Sequence, residues 1–275
     1  MSRWFTALQR ALPHHGLSRL TGALAQSERR WIRRPFIHGF ARAYHIDLAE
    51  AERGQLDDYR CFNDFFTRAL RPGARPLAAD PDAVVCPADG VVSQAGRIEA
   101  GRLLQAKGTH YNLRSLVGRD APRYVNGSCA TVYLAPHDYH RVHLPLAGRL
   151  VHTTAIPGQL FSVNARTVAG ITDLFCRNER LVCEFETDHG GMLVILVGAM
   201  IVASIETVWG GPVSPYAVQR EDRWDLALER GAEIGRFLLG STVIVCLEPG
   251  RMRLDEGIIA GLPVRMGQRI GGTTP

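Results

Sequence analysis

MLVILVGAMIVASI, residues 192–205, is the longest apolar run of the chain and decides its class of fold. The run is rich in Val and Ile, whose branched side chains fit a buried, extended strand. It is shorter than the roughly 18 apolar residues that indicate a membrane-spanning helix. The run therefore predicts a buried β-strand within a globular chain of 275 residues.

The chain from about residue 83 onward repeats this pattern in shorter form. Val/Ile/Leu runs lie at 84–96, 102–106, 129–135, 141–152, 181–186, 242–248 and 262–266. Gly, Pro, Asn and Asp separate them, which is typical of mostly antiparallel β-structure. Helical interruptions are predicted near 109–117, 163–173 and 226–236.

The predicted fold class is α+β, with a helical N-terminal segment, residues 1–50, followed by one β-rich domain, residues 51–275. The domain opens with a short predicted helix around Phe62 to Leu70 and an Arg/Pro/Gly linker. No internal repeat and no low-complexity linker divides it further.

The N-terminal segment is basic and amphipathic. Residues 1–45 hold eight Arg and one acidic residue, whereas the whole chain has a net charge of only +5. Apolar side chains recur there at helical spacing: Trp4, Phe5, Leu8 and Leu12, then Leu17, Leu20 and Leu24. The stretch RRWIRRPFI at 29–37 places Arg beside Trp and Phe, which suits a helix lying at a lipid headgroup surface.

Two other uses of this segment stay open. It could form a basic helical cap on the domain with its aromatic side chains turned inward. A basic patch could also bind nucleic acid, but no nucleic-acid motif accompanies it, so we predict no such partner.

Cysteine and lysine usage limits the chemistry. Six cysteines are scattered without a CxxC pair, which predicts reduced thiols in a protein that faces the cytosol. The Arg-rich N-terminus lacks a small-residue cleavage site, so we expect no secretory signal peptide. Lys107 is the one lysine of the chain, which argues against a lysine-bound pyridoxal cofactor.

The Gly240-Ser241 bond, in LGST at 239–242, is a candidate for self-cleavage. Glycine lets a nucleophile approach its carbonyl closely and tolerates strained backbone angles. Attack by the Ser241 hydroxyl on that carbonyl would give an ester, and elimination followed by hydrolysis would leave a pyruvoyl group and ammonia. The tetrapeptide alone is more typical of an ordinary turn before a strand.

Two further segments supply the helpers that this chemistry needs. PADG at 87–90 contains Asp89, and PHDYHRVH at 136–143 contains His140 and His143. With Ser241 these residues form a candidate Ser-His-Asp set, which is recognised by geometry rather than chain order. Taken singly, PADG is also a common β-turn, and His143 could be a half-buried strand residue.

The three-residue spacing of His137, His140 and His143 also invites a metal interpretation. Proline flanks the segment, and no acidic or cysteine motif completes a ligand set, so no metal is predicted. His137 is assigned to the surface.

The chain resembles the bacterial, membrane-associated phosphatidylserine decarboxylases. The resemblance keeps order and spacing from about residue 30 to about 265. Its matching segments are FFTR at 65–68, PADG at 87–90, DYHRVH at 138–143, FSVN at 161–164, NER at 178–180, GAM at 198–200, GRF at 235–237 and the Ser-Thr pair at 241–242.

The resemblance implies decarboxylation of phosphatidylserine to phosphatidylethanolamine and CO2 in phospholipid biosynthesis. Cleavage between Gly240 and Ser241 would give a long chain, 1–240, and a short chain, 241–275. Position 241 would then carry the cofactor, a covalent pyruvoyl group whose carbonyl forms a Schiff base with the substrate amine.

The resemblance also assigns residue roles. His143 would take the proton of Ser241 during self-cleavage, and Asp89 would hold and polarise His143. His140 would protonate the substrate Cα after decarboxylation. In an extended strand His140 and His143 would face opposite sides, so a bend is expected between them. Phe161 and Ser162 are candidates for substrate binding.

The partners expected from the resemblance are phosphatidylserine, an anionic membrane surface and the second chain of the cleaved pair, with a higher oligomer left open. The expected location is peripheral, on the cytoplasmic face of a bacterial inner membrane. Three alternatives remain: a pyruvoyl decarboxylase of a soluble amino acid, a Ser-His-Asp hydrolase and a membrane-binding β-barrel carrier module. PADGVV is similar to carrier barrels, but Lys107 lacks the neighbours of a modified lysine.

Overall fold

The computed structural model of the protein describes residues 21–106, 108–199, 205–211, 215–238 and 241–274, with the backbone alone at positions 166 and 241. Predictions for residues 1–20 and for Gly240 therefore lie outside the described residues.

In chain order the strands are β1 Ala83–Val85, β2 Gly90–Arg97, β3 Arg102–Ala106, β4 Thr109–Asn112, β5 Ser128–Leu134, β6 Arg141–His143, β7 Gly148–Ile156, β8 Arg180–Thr187, β9 Gly190–Val197, β10 Ile205–Thr207, β11 Arg220–Leu228, β12 Glu233–Phe237, β13 Ser241–Leu247, β14 Met252–Leu254, β15 Pro263–Val264 and β16 Arg269–Thr273.

The largest sheet has eight strands in the order β11-β7-β8-β9-β13-β5-β2-β15, and each neighbouring pair is antiparallel. Its central strands are covered on both faces. Val243, Val245 and Leu247 of β13 pack into one apolar cluster, while Ile244 and Cys246 pack into a second. This double burial explains why β9 and β13 read as continuous apolar runs rather than as alternating patterns.

Three small sheets lie beside the large one. They have the orders β1-β16-β14, β10-β12-β6 and β3-β4. The second of them matters for the site because β6 carries His143, and Glu233 of β12 pairs with it. The mostly antiparallel β-domain that the turn pattern predicts is thereby confirmed.

The helices are short apart from the first: α1 Arg30–Ala43, α2 Phe62–Phe66, α3 Leu113–Val117, α4 Ala165–Gly170 and α5 Leu174–Arg177. Residues 21–25 are also helical. Phe36 and Phe40 of α1 contact Phe62 of α2, with ring centroids 4.2 and 5.0 Å apart. Trp31 on the same helix is 72% exposed. None of the described helices is long and apolar enough to cross a membrane.

The three predicted helical interruptions have different outcomes. The helix near 163–173 is confirmed by α4, and the one near 109–117 is half right because β4 precedes α3. The helix predicted at 226–236 is wrong, because β11 and β12 occupy that region. Trp224, Leu226 and Leu228 are partly buried against the core while their neighbours are exposed, so packing against β7 overrides the helical propensity of Leu, Ala and Glu.

Candidate active site

One edge of the large sheet brings most of the predicted segments together. Ser241 starts β13 and pairs with Leu134, the last residue of β5. Thr242 pairs with Val197, the last residue of β9. On the other side of β5, Val91 of β2 pairs with Tyr133, so Asp89 lies just beyond the same edge. Adjacent antiparallel strands alternate in direction, which is why starts and ends of distant segments meet here.

Gly90 shows how closely these segments approach. Its φ is +153°, and a Cβ at this position would collide with the carbonyl oxygen of Tyr133. A residue with a side chain would push Asp89 away from the end of β5. The close approach of the Tyr133 carbonyl therefore explains why the PADG motif has glycine at position 90.

Asp89 is held by a bidentate ion pair. Arg75 Nε lies 2.9 and 3.0 Å from its two carboxylate oxygens, and the Met266 N–H donates to Oδ1 at 2.8 Å. Asp89 makes no hydrogen bond to His143 in this arrangement. The two segments nevertheless lie together, because the His143 N–H donates to the carbonyl of Pro87 at 2.8 Å.

His143 is 8% exposed and has a partner at each ring nitrogen. Nδ1 lies 2.8 Å from the Gly231 carbonyl oxygen, which can only accept, so Nδ1 carries the proton. Burial lowers the pKa of His143, so the ring is neutral and Nε2 accepts from the Tyr139 hydroxyl at 3.0 Å. Nε2 is therefore the atom able to act as a base.

His140 is fully buried in the irregular stretch before β6, so the bend expected between the two histidines is present. Its Nδ1 donates to the Asp138 carbonyl at 2.8 Å, and its ring lies against Phe66 with centroids 3.9 Å apart. Nε2 is buried with no hydrogen-bond partner among the described residues. Burial lowers the pKa of His140 to about 3, with a further contribution from the Arg68 cation, so the free imidazole is neutral.

Phe161 and Ser162 follow β7 at the same edge. Asn178 holds this loop: its Oδ1 accepts from the Phe161 N–H at 3.1 Å, and its Nδ2 donates to the carbonyls of Phe161 and Gly198, each at 2.8 Å. Phe161 is 2% exposed, and Ser162 Oγ accepts from Asn164 at 2.9 Å. We call this set of hydrogen bonds the Asn178 clamp. It joins the FSVN, NER and GAM segments and explains why all three lie at the same edge of the sheet.

His137 lies on the surface, with 59% of its side chain exposed, as predicted. Four residues of the site had no assigned role in the sequence: Arg68, Arg75, Tyr139 and Asn178. Arg68, Tyr139 and Asn178 belong to the motif segments quoted above, so membership in those segments was the signal that could have pointed to them. Arg75 lies in the Arg/Pro/Gly linker, where nothing distinguishes it from its neighbours.

Comparison with known proteins decides the family. The family model described as phosphatidylserine decarboxylase matches residues 62–272, well over half of the chain. This chain belongs to the phosphatidylserine decarboxylase family. It is 50% identical to the phosphatidylserine decarboxylase proenzyme of Methylococcus capsulatus, over 97% of this chain and 96% of that protein.

Other phosphatidylserine decarboxylase proenzymes are equally similar. The relative from Pseudomonas aeruginosa is 51% identical over 97% of this chain and 96% of that protein. The relative from Pseudomonas putida is 50% identical over 98% of this chain and 97% of that protein. A second family model, described as PSD, matches residues 4–45. The family resemblance drawn from the motifs is confirmed, and all predicted site residues of this family member lie within residues 62–272.

Proposed function

We propose that this chain is a proenzyme that cleaves itself between Gly240 and Ser241 and then decarboxylates phosphatidylserine to phosphatidylethanolamine and CO2. The observation that carries the proposal is the near-full-length similarity to phosphatidylserine decarboxylase proenzymes at about half identity. The meeting of Ser241, Asp89 and the histidine segment at one sheet edge supports it.

The self-cleavage step would use His143 as the base. The Gly231 carbonyl fixes the proton on Nδ1, which leaves Nε2 to take the proton of the Ser241 hydroxyl. The Tyr139 bond to Nε2 must open first. Asp89, held by Arg75, would act through its charge, which favours the protonated form of His143.

The residues near position 241 fit a pyruvoyl group. Several buried polar atoms have no hydrogen-bond partner among the described residues, and two of them belong to the segments of this site: Thr242 Oγ1, beside position 241, and His140 Nε2, in the stretch after β5. When present, the pyruvoyl carbonyl supplies the sink for the electron pair left by departing CO2. His140 would first take up a proton at Nε2, since its own ring proton lies on Nδ1, and would then deliver it to Cα. Phe161, Ser162 and the Asn178 clamp would line the headgroup pocket.

The two chains of the cleaved protein should stay together. Residues 241–275 contain β13, which lies between β5 and β9, as well as β15 and β16, which pair with β2 and β1. Separation would expose the apolar strand Val243 to Leu247, which is buried in the sheet. The mature enzyme is therefore proposed to be a heterodimer of its own fragments.

Peripheral membrane attachment is proposed for the N-terminal segment. Phe36 and Phe40 of α1 pack inward, whereas Trp31 and Arg30 are exposed on the same helix. Both of the uses weighed for this segment thus contribute: one face anchors the helix to the domain, and the other offers aromatic and basic side chains to anionic lipid.

The deciding experiment is the intact mass of the purified protein under denaturing conditions, together with CO2 release from phosphatidylserine vesicles. We expect two fragments, residues 1–240 and 241–275, the second with a ketone-reactive N-terminus. Ser241→Ala should remain one inactive chain. Ser128→Ala is the matched control because Ser128 pairs at the opposite end of the β5–β13 ladder. A single uncleaved chain that released CO2 would refute the pyruvoyl mechanism.

A further inference from the structure

Two arginines are buried in the described part of the chain, Arg68 at 5% and Arg180 at 3% exposure. Neither has a carboxylate within ion-pair distance among the described residues. A buried cation is costly unless its donors are satisfied. An arginine whose guanidinium donors all have protein acceptors is structural, whereas one with a free buried donor can bind a ligand.

Arg180 is fully accommodated by the protein. All three of its guanidinium nitrogens donate to backbone carbonyls, at distances of 2.6 to 2.8 Å. The acceptors are Leu116, Cys176, Asn178 and Ser115. Arg180 therefore ties α3 and α5 to β8, and nothing about it calls for a ligand.

Arg68 is not accommodated in this way. Its Nη2 donates to the carbonyls of His137, at 2.9 Å, and Asp138, at 3.3 Å. Its Nη1 is buried and has no hydrogen-bond partner among the described residues. An unsatisfied charged donor in such a site costs more than an ordinary missing hydrogen bond.

Arg68 also lies directly beside His140. Arg68 Nη2 and His140 Nδ1 both donate to the carbonyl oxygen of Asp138, so the two side chains are neighbours. Both then end in a buried nitrogen without a partner, Nη1 in one and Nε2 in the other. Arg68 Nη1 can donate a hydrogen bond from a cation. His140 Nε2 carries the lone pair of a neutral imidazole.

The nearby carboxylates are occupied elsewhere. Asp138 Oδ2 accepts from the Ala135 N–H at 2.6 Å, and its Oδ1 lies 3.5 Å from His137. Asp89 is held by Arg75. The charge of Arg68 is thus left for an anion that the described residues do not supply.

We propose that Arg68 binds the phosphodiester of the phospholipid headgroup through Nη1 and so places the serine Cα against His140. This inference rests on the proposed function and adds to it the residue that recognises the headgroup phosphate. Arginine suits the task because its planar donors match phosphate oxygens.

The substrate carries two anionic groups, and the reaction favours the phosphodiester as the partner. The carboxylate loses its charge as CO2 leaves, so an ion pair to it would stabilise the ground state more than the transition state and slow the step. The phosphodiester keeps its charge throughout. It is also joined to Cα through only Cβ and one ester oxygen, so a phosphate at Arg68 keeps Cα close to His140.

The position of Arg68 beside His140 predicts that His140 is protonated only after the headgroup has bound. The Arg68 cation contributes to the lowered pKa of His140. A phosphodiester on Arg68 would offset that charge, so headgroup binding would raise the proton affinity of His140 when a proton donor is needed. Without a phosphodiester at Arg68, the imidazole would stay neutral.

The test compares two soluble ligands on the mature enzyme, glycerophosphoethanolamine, which carries the phosphodiester, and ethanolamine, which does not. The ratio of their dissociation constants isolates the phosphodiester. We expect Arg68→Gln to reduce this ratio about 10- to 100-fold, the range for a charge-assisted hydrogen bond. Arg71→Gln is the matched control, since exposed Arg71 also donates to a backbone carbonyl, that of Ala51 at 3.0 Å. It should keep the wild-type ratio.

Arg68→Lys covers the case in which Arg68→Gln does not fold or does not cleave. It keeps the cation but loses the forked donors, so the ratio should fall by a smaller factor. An unchanged ratio of dissociation constants in the variant that folds would overturn the proposal. If the KM for phosphatidylserine also rose in that variant, Arg68 would be assigned to the substrate carboxylate instead. Wild-type protein that released no CO2 would instead count against the proposed function.

Discussion

Arg75 and Asp89 form a bidentate ion pair in which both side chains are nearly buried, at 9% and 10% exposure. The charge of Asp89 is therefore balanced by Arg75 rather than by a hydrogen bond to His143. This pair connects the linker before β1 to the loop before β2. It fixes where the carboxylate can act and makes Arg75 part of the site's support.

Removing Arg75 should destabilise the protein strongly. In the uncleaved Ser241→Ala background, Arg75→Met leaves the Asp89 carboxylate buried without its cation, and we expect a loss of about 3–5 kcal/mol in the free energy of unfolding. Adding Asp89→Asn should restore part of it. Urea unfolding measures both. Arg114→Met is the control, because its partner Asp120 is 74% exposed and such pairs contribute less than about 1 kcal/mol. Equal losses for the two arginines would contradict this account.

Tyr139 should slow self-cleavage. Its hydroxyl occupies His143 Nε2, the atom that must receive the proton of Ser241. Tyr139→Phe frees that lone pair, so we expect faster cleavage in a time course of newly synthesised protein on denaturing gels. Tyr124→Phe is the control, because its buried hydroxyl bonds Glu184 at 3.1 Å. Slower cleavage in Tyr139→Phe would show instead that the hydroxyl orients the imidazole.

The pH dependence of stability should reveal His140. Its pKa is lowered to about 3 in the folded protein, while the unfolded value lies near 6.5. Between these values the unfolded chain binds the additional proton, so stability is fully present above about pH 6.5 and falls as the pH decreases. This one residue contributes a slope of up to about 1.4 kcal/mol per pH unit.

Urea unfolding of the Ser241→Ala protein from pH 4.5 to 7 checks that slope. His140→Asn should remove the contribution of one proton to the slope of the unfolding free energy against pH. This expectation holds whatever the variant does to the free energy of unfolding at a single pH. His137→Asn is the control, because it removes a histidine of the same segment whose side chain is 59% exposed. Identical slopes in the His140→Asn protein and its parent would mean that His140 is not held neutral.

The sequence predicts the β-domain well, because buried central strands leave continuous apolar runs. The quoted motifs around Asp89, His143 and Ser241 also lie at one edge of the large sheet, while the roles of these residues stay predictions. It mispredicts β11, an edge strand whose Leu, Ala and Glu favour a helix until β7 supplies a pairing partner. It also does not reveal the partner of Asp89. Arg75 is 14 residues away and is one of many arginines, so only the folded geometry selects it.

Membrane attachment should depend on the exposed face of α1. Trp31→Ala removes a 72% exposed aromatic ring, and Arg30→Gln removes an exposed charge. Near an anionic surface each basic residue contributes about 1 kcal/mol, so Arg30→Gln should weaken vesicle binding about fivefold at low salt. Val218→Ala, which changes a 69% exposed side chain elsewhere, should bind normally in the same cosedimentation assay. Equal binding by all three variants would place the attachment outside this face.

Cleavage should change the order of the unfolding reaction without loosening the fold. The short chain contributes β13, whose residues Val243 to Leu247 are at most 1% exposed between β5 and β9. Unfolding of the mature protein therefore releases two chains, so its urea midpoint should rise with protein concentration by mass action. The Ser241→Ala protein unfolds as one chain, and its midpoint should not change. Both fragments should coelute without denaturant. A mature protein with a concentration-independent midpoint would show that residues 241–275 do not dissociate on unfolding, or that they are not needed for the fold.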